Sequence, residues 1–387
     1  MMKAYLDNSA TTKVCEEAVN AMRPYFSEKY GNASSLHQQG REASEALIQA
    51  RQTLAKIIRA NPEEIIFTGS GSEADNMAIK GLAYIQKDKK HIITSNIEHP
   101  AVIETCKELE KQGFKVTYLK VNKEGIINLK ELEKATTKDT FLVTIMHANN
   151  EIGTIQPIKE IGALCKRHGI IFHTDAVQSL TKVPIDVSDM NIDLATFSAH
   201  KIHGPKGIGF LYKRKGIRLA KLITGGHQEN GLRAGTENVT GAVGFATAAE
   251  NAKKADIEKM VELRDWFIDE VLKIPDTALN GSKEKRLCNN ISISFKYVEG
   301  ESLLLRLDQK GISVSTGSAC TSQTLSPSHV LLAIGLSHEV AHGTIRFTIS
   351  KYTTKQELEY TIEQLKEIVP ELRELSPLMP KEKRGED

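Results

Sequence analysis

Between residues 41 and 213, short apolar runs alternate with amphipathic stretches. Residues 41–60 place Leu47, Leu54 and Ile58 near one face at helical spacing and stop before Asn61-Pro62, where proline disfavours further helix. Seven apolar runs read as strands: residues 64–68, 91–95, 115–119, 141–146, 170–173, 194–198 and 208–212. Amphipathic segments at 101–112 and 158–167 separate several of them. This alternation predicts crossover units on a mainly parallel seven-stranded sheet covered on both faces, an α/β large domain. The pattern changes after the Gly-rich stretch 224–235. A long helical region over 239–272 follows, then strands at 291–295 and 344–349 flanking helices near 301–309 and 355–371. These predict a smaller α+β domain. The expected division is a large domain over 16–257, with 1–15 and 258–387 forming the small one. The charged residues from Pro380 onward read as a mobile tail.

Composition narrows the function classes. The chain of 387 residues balances 51 Lys and Arg against 49 Asp and Glu, so neither nucleic acid nor an acidic membrane is expected as its main partner. No apolar run is long enough to span a membrane, and residues 1–7 do not resemble a secretory signal. Five scattered cysteines with no C-x-x-C pair argue against a disulfide framework and for a reducing, cytoplasmic compartment.

In parallel sheets ligands gather at the carboxyl ends of strands, and three such ends carry polar residues here. After the run at 64–68 comes Gly69-Ser-Gly-Ser-Glu73, opening a helical pattern. Amide N–H groups and hydroxyls in such a turn suit an anion, although an ordinary capped turn reads the same way. Asp175 ends the strand after Gly169, and a carboxylate there needs a cationic partner. The third end is Ser198-Ala-His200-Lys201, where desolvation would favour a neutral, nucleophilic amine. Read alone, Asp175 and Lys201 also fit a satisfied structural carboxylate and a surface lysine. An anion cradle, a buried acid and a strand-end lysine together suit one cofactor, pyridoxal phosphate.

At these residues the chain resembles the group I (NifS/IscS-like) cysteine desulfurases, fold-type I pyridoxal-phosphate enzymes of the class V aminotransferase group. The resemblance runs through residues 5–12, 30–37, Glu98-His99, 148–153, 175–178 and 198–207, and ends at Ser315-Thr-Gly-Ser-Ala-Cys-Thr-Ser322. It implies conversion of L-cysteine to L-alanine with sulfur held as a persulfide on Cys320. Lys201 would hold the cofactor as a Schiff base, and Asp175 would face its pyridine nitrogen. Gln178 and Asn150 would bond the phenolic oxygen, and His99 would stack on the ring and move protons. Gly71, Ser72, Ser198 and His200 would hold the phosphate, with Thr236 reaching it from the partner subunit of a homodimer. Arg346 would clamp the substrate carboxylate, with Asn150 beside it. The resemblance further implies supply of sulfur to an IscU-like iron-sulfur scaffold, with a transient 2Fe-2S cluster shared through Cys320. Residues 375–378 look like the tail that docks such a scaffold, or like an ordinary helix end. Two departures stand out: the phosphate turn has Gly-Ser-Glu where Ala-Thr-Glu is common, and Ala234 replaces a serine.

Cys320 lies among small polar residues with little to bury, as a sulfur carrier requires. Its thiol needs activation from an ordinary pKa of about 8.5, and His99 is the candidate. Cys106 and Cys165 sit in helical patterns and read as buried hydrophobes, while Cys15 and Cys288 lack the context of a reactive thiol. Selenocysteine lyase, a small aminotransferase and a non-catalytic scaffold are the rival readings.

Overall fold

The computed structural model describes residues 2–316, 327–377 and 379–380. Thirteen strands follow in chain order among these residues: β1 (Ala4–Tyr5), β2 (Ile65–Thr68), β3 (His91–Ser95), β4 (Lys115–Leu119), β5 (Thr140–Thr144), β6 (Ile171–Asp175), β7 (Leu194–Ser198), β8 (Gly209–Lys213), β9 (Thr277–Leu279), β10 (Asn290–Phe295), β11 (Ile312–Ser313), β12 (Ser315–Thr316) and β13 (Thr344–Thr348). The large sheet has the order β2-β8-β7-β6-β5-β3-β4. Strand β8 runs antiparallel to both its neighbours and the remaining pairs are parallel. The carboxyl ends of β2, β6 and β7 therefore open toward the same edge.

Both faces of this sheet are buried, which explains why its strands read as continuous apolar runs. Val143, Phe172, Phe197 and Phe210 pack against helices Gln38–Ile57, Ile158–His168 and Val239–Glu250. Leu142, Leu194 and Leu211, an odd number of residues away along their strands and so on the opposite face, pack against Gly71–Ala83 and Pro100–Lys111. Sequence pattern places these helices well but misses their caps. Helix Gln38–Ile57 starts three residues before position 41, because His37 Nδ1 accepts the amide of Gly40. Helix Ile158–His168 stops at Gly169, whose φ of 62° an L side chain adopts only with strain.

The long helical region over 239–272 is two helices, Val239–Glu250 and Lys254–Val271. The first serves the core of the large sheet. The second turns Phe267 and Val271 into a separate core built on the antiparallel sheet β12-β13-β10-β9. Helices Gly300–Gln309 and Lys355–Glu374 complete that core through Leu303, Leu307, Leu358 and Leu365. The N-terminal residues belong to it as well: Ala4 and Leu6 are buried there, and β1 pairs in parallel with β11.

From β1 the chain crosses to the large sheet as a strap. Asp7 bridges to Thr348 and the Ser9 amide donates to Thr348 Oγ1 at 2.8 Å. Three residues on, the Thr12 amide and hydroxyl both donate to the carbonyl of His200, each at 2.9 Å.

Candidate active site

The strand ends and the strap enclose a cavity of about 420 Å³. Its floor comes from the large sheet. Ser70 caps helix Gly71–Ala83 by accepting the Glu73 amide, and the Glu73 carboxylate reaches back to the Gly69 amide at 2.8 Å. Arg233 fixes that carboxylate through Nε at 2.8 Å, so the turn is braced from outside the cavity. A Cβ on Gly71 would meet Val177 Cγ2 at 2.8 Å, so only glycine brings the backbone this close. Asp175, ending β6, is buried and accepts the Val177 amide at 2.9 Å. Burial raises its pKa, opposed by His99 and Lys201. Ser198 ends β7 and lines the cavity beside His200 and Lys201.

Lys201 Nζ donates to the carbonyls of Ser9 and Ala10, at 2.5 and 2.8 Å. The strap thus supplies polar partners to a lysine that would otherwise be buried at high cost. Gln178 Nε2 donates to the same Ser9 carbonyl at 3.2 Å, and its Oε1 is buried. His200 Nδ1 lies 3.2 Å from Thr11 Oγ1, and burial pushes its pKa down to about 4, so the ring is neutral.

The wall comes from elsewhere. His99 caps helix Pro100–Lys111 through Nδ1, which accepts the Ala101 amide at 3.1 Å. Arg346, on β13, is buried; Nη2 pairs with Asp7 at 2.9 Å and Nη1 donates to the Asn150 carbonyl at 3.1 Å. Glu151 accepts the Ser328 hydroxyl at 2.5 Å, and burial raises its pKa to about 7. His329 Nε2 lies 3.0 Å from the Glu98 carbonyl.

Behind the cavity surface, Asp75 Oδ1 faces His173 Nε2 at 3.7 Å, while Gln178 Oε1 and Arg346 Nε are buried with no hydrogen-bond partner among the described residues. The lining sets the cations Lys201 and Arg346 and the carboxyl of Asp175 beside the hydroxyls of Ser72 and Ser198 at a helix start. A ligand with an anionic group, a protonated ring nitrogen and a carboxylate suits that set, and pyridoxal phosphate with an amino acid is such a ligand.

Of the residues singled out from sequence, Gly71, Ser72, His99, Asn150, Asp175, Gln178, Ser198, His200, Lys201 and Arg346 all line this one cavity. Thr236 does not; it is exposed on the segment before helix Val239–Glu250. Cys320 lies outside the described residues, as do Leu378 and the tail from 381. Cys15, Cys106, Cys165 and Cys288 are buried and unbridged, and burial pushes the thiols of Cys106 and Cys165 up to about 12. Sequence reasoning missed Asp75, Glu151, Ser328 and His329. Asp75 had a signal, an acidic residue one turn into the helix after the phosphate turn. The others are brought in by tertiary packing.

The chain belongs to the aminotransferase class-V family, whose model matches residues 4–361. It is 53% identical over 380 residues to the cysteine desulfurase IscS of Dictyoglomus turgidum, covering 97% of this chain and 96% of that one. Among solved structures it resembles a NifS-like protein, with a TM-score of 0.90, 40% identity and coverage of 96% of this chain and 100% of that one. It also resembles SspA in complex with cysteine, at a TM-score of 0.83, 39% identity and coverage of 91% and 100%.

Proposed function

We propose that this protein is a pyridoxal-phosphate-dependent cysteine desulfurase, converting L-cysteine to L-alanine and leaving the sulfur on the enzyme as a persulfide. The observation that carries this reading is the convergence of Lys201, Asp175, His99 and Arg346 on one cavity, in a chain half identical to cysteine desulfurases along nearly its whole length. When bound, pyridoxal phosphate supplies an electron sink for the substrate carbons.

The residues would divide the work as follows. Lys201 would hold the cofactor through its amine and exchange protons with the substrate. Asp175, with its buried carboxylate, would keep a proton on the pyridine nitrogen. The braced turn at Gly71 and Ser72, with Ser198 and His200, would hold the phosphate. Arg346, already oriented by Asp7 and Asn150, would bind the substrate carboxylate through its guanidinium fork. The thiolate of Cys320 would attack the substrate sulfur: an S–S bond forms, the C–S bond breaks, and its electron pair stays with carbon, which then takes up a proton. No external oxidant is needed, because sulfur loses the electrons that carbon gains.

The same reading includes a homodimer, in which Thr236 of one subunit reaches the other's phosphate; its exposure in a single chain supports this. It also includes delivery of the persulfide sulfur to an iron-sulfur scaffold protein in a reducing cytoplasm, with a 2Fe-2S cluster passing transiently through Cys320. Four buried, unbridged cysteines support that compartment.

The test is an absorption spectrum of the purified protein before and after L-cysteine, with alanine and sulfane sulfur assayed together. A cofactor band that shifts while both products appear is the expected result. Cys320→Ser should keep the band and lose turnover, and a fully active Cys320→Ser enzyme would sink the mechanism.

A further inference from the structure

Of the three histidines that line the cavity, His99 and His329 are fixed by their hydrogen bonds in opposite polarities. His99 Nδ1 accepts the Ala101 amide, so its lone pair is already used and the neutral ring carries its hydrogen on Nε2. His99 therefore offers the cavity a donor. His329 is the reverse. A backbone carbonyl only accepts, so the contact with Glu98 at 3.0 Å requires hydrogen on His329 Nε2. That leaves a lone pair on Nδ1 whenever the ring is neutral, the form that burial favours for both histidines.

His329 is also held still from both sides. Ser328, the preceding residue, donates to Glu151 and accepts the amides of Val330 and Leu331, which sets the start of helix His329–Ala333. The carbonyl that engages its ring belongs to Glu98, whose own carboxylate accepts the Met146 amide and the Ser95 hydroxyl. An acceptor fixed this firmly has little ordering cost left on binding.

We infer that His329, through Nδ1, accepts the S–H of a substrate cysteine and so positions its sulfur, while His99 faces the site only as a donor. This rests on the desulfurase reading above and deepens it. L-alanine has no S–H, so the interaction exists for substrate and is gone once the C–S bond has broken. Discrimination of substrate from product would thus reside partly in one ring nitrogen.

The test uses the cofactor-loaded Cys320→Ala protein, in which turnover is arrested, with L-cysteine and L-alanine titrated against the cofactor's absorbance. Adding His329→Phe should weaken L-cysteine about five-fold, the worth of one neutral hydrogen bond, and leave L-alanine within about two-fold. His329→Gln, which can donate to the Glu98 carbonyl and still present an oxygen, should recover most of the cysteine affinity. Equal weakening of both ligands would assign His329 a merely structural role and overturn the inference, as would unchanged cysteine binding. Should the phenylalanine variant fail to fold, His329→Met carries the same comparison. If the parent binds L-alanine but gives no response to L-cysteine, the acceptor role alone falls; if it responds to neither, the functional reading falls with it.

Discussion

The floor of the cavity and its wall are held in place by different means. Asp175, Ser198 and the turn at Gly71 sit at the ends of strands in one sheet, and their positions follow from the strand register. Arg346, Asn150, Glu151 and His329 come from both cores and meet only through cross-links: Arg346 to Asp7 and Asn150, Ser328 to Glu151, His329 to Glu98. A floor built on a parallel sheet tolerates the loss of any one side chain without moving the rest. A wall built from cross-links responds to each of them. Grip on the cofactor is thereby separated from recognition of the substrate.

The sharpest break comes from the floor. Lys201→Ala should abolish the Schiff base absorption and cut turnover by about 10³-fold or more, with secondary structure by circular dichroism unchanged. Retained absorption at the same wavelength would refute the role of Lys201.

The wall should fail differently. Arg346→Lys keeps a charge but gives up the forked geometry, so KM for L-cysteine should rise about 10- to 100-fold while the cofactor spectrum stays put. Loss of the cofactor instead would show that floor and wall are not separable.

The smallest effect is on stability. Burial raises the Glu151 pKa from 4.5 to about 7, so the folded protein prefers the protonated acid. The associated stabilisation is complete below the ordinary pKa and is lost as pH rises through about 7. Glu151→Gln should therefore gain on the parent by about two degrees in Tm between pH 5 and pH 8. A difference in Tm that stays flat over that range would mean that Glu151 is already ionised at the lower pH.

The same division governs what could be read from the sequence. Apolar runs between residues 64 and 212 revealed all seven strands of the large sheet, because burial on both faces leaves a continuous signal. Lys201 and Asp175 stood out because charge at the end of such a run is costly. Helix ends were less visible: the caps at His37 and the break at 251–253 depend on single hydrogen bonds and on which core each helix serves. Glu151, Ser328 and His329 carried no local pattern at all, since their significance arises from partners up to 231 residues away. The orientation of the Gln178 amide was likewise invisible, being set by the carbonyl of Ser9.

The strap that carries Ser9 has a further consequence, in the order of synthesis. Asp7 meets Arg346 across 339 residues of chain, and Ser9 meets Thr348 across the same span. At about 5–20 residues per second, the ribosome needs roughly twenty seconds to a minute to make the partner after the strap has emerged. During that interval the large sheet can form, but the carbonyls that receive Lys201 have no anchor on the other core. A cavity able to hold cofactor and substrate together is thus among the last things the nascent chain acquires, although its first residues are among those that build it.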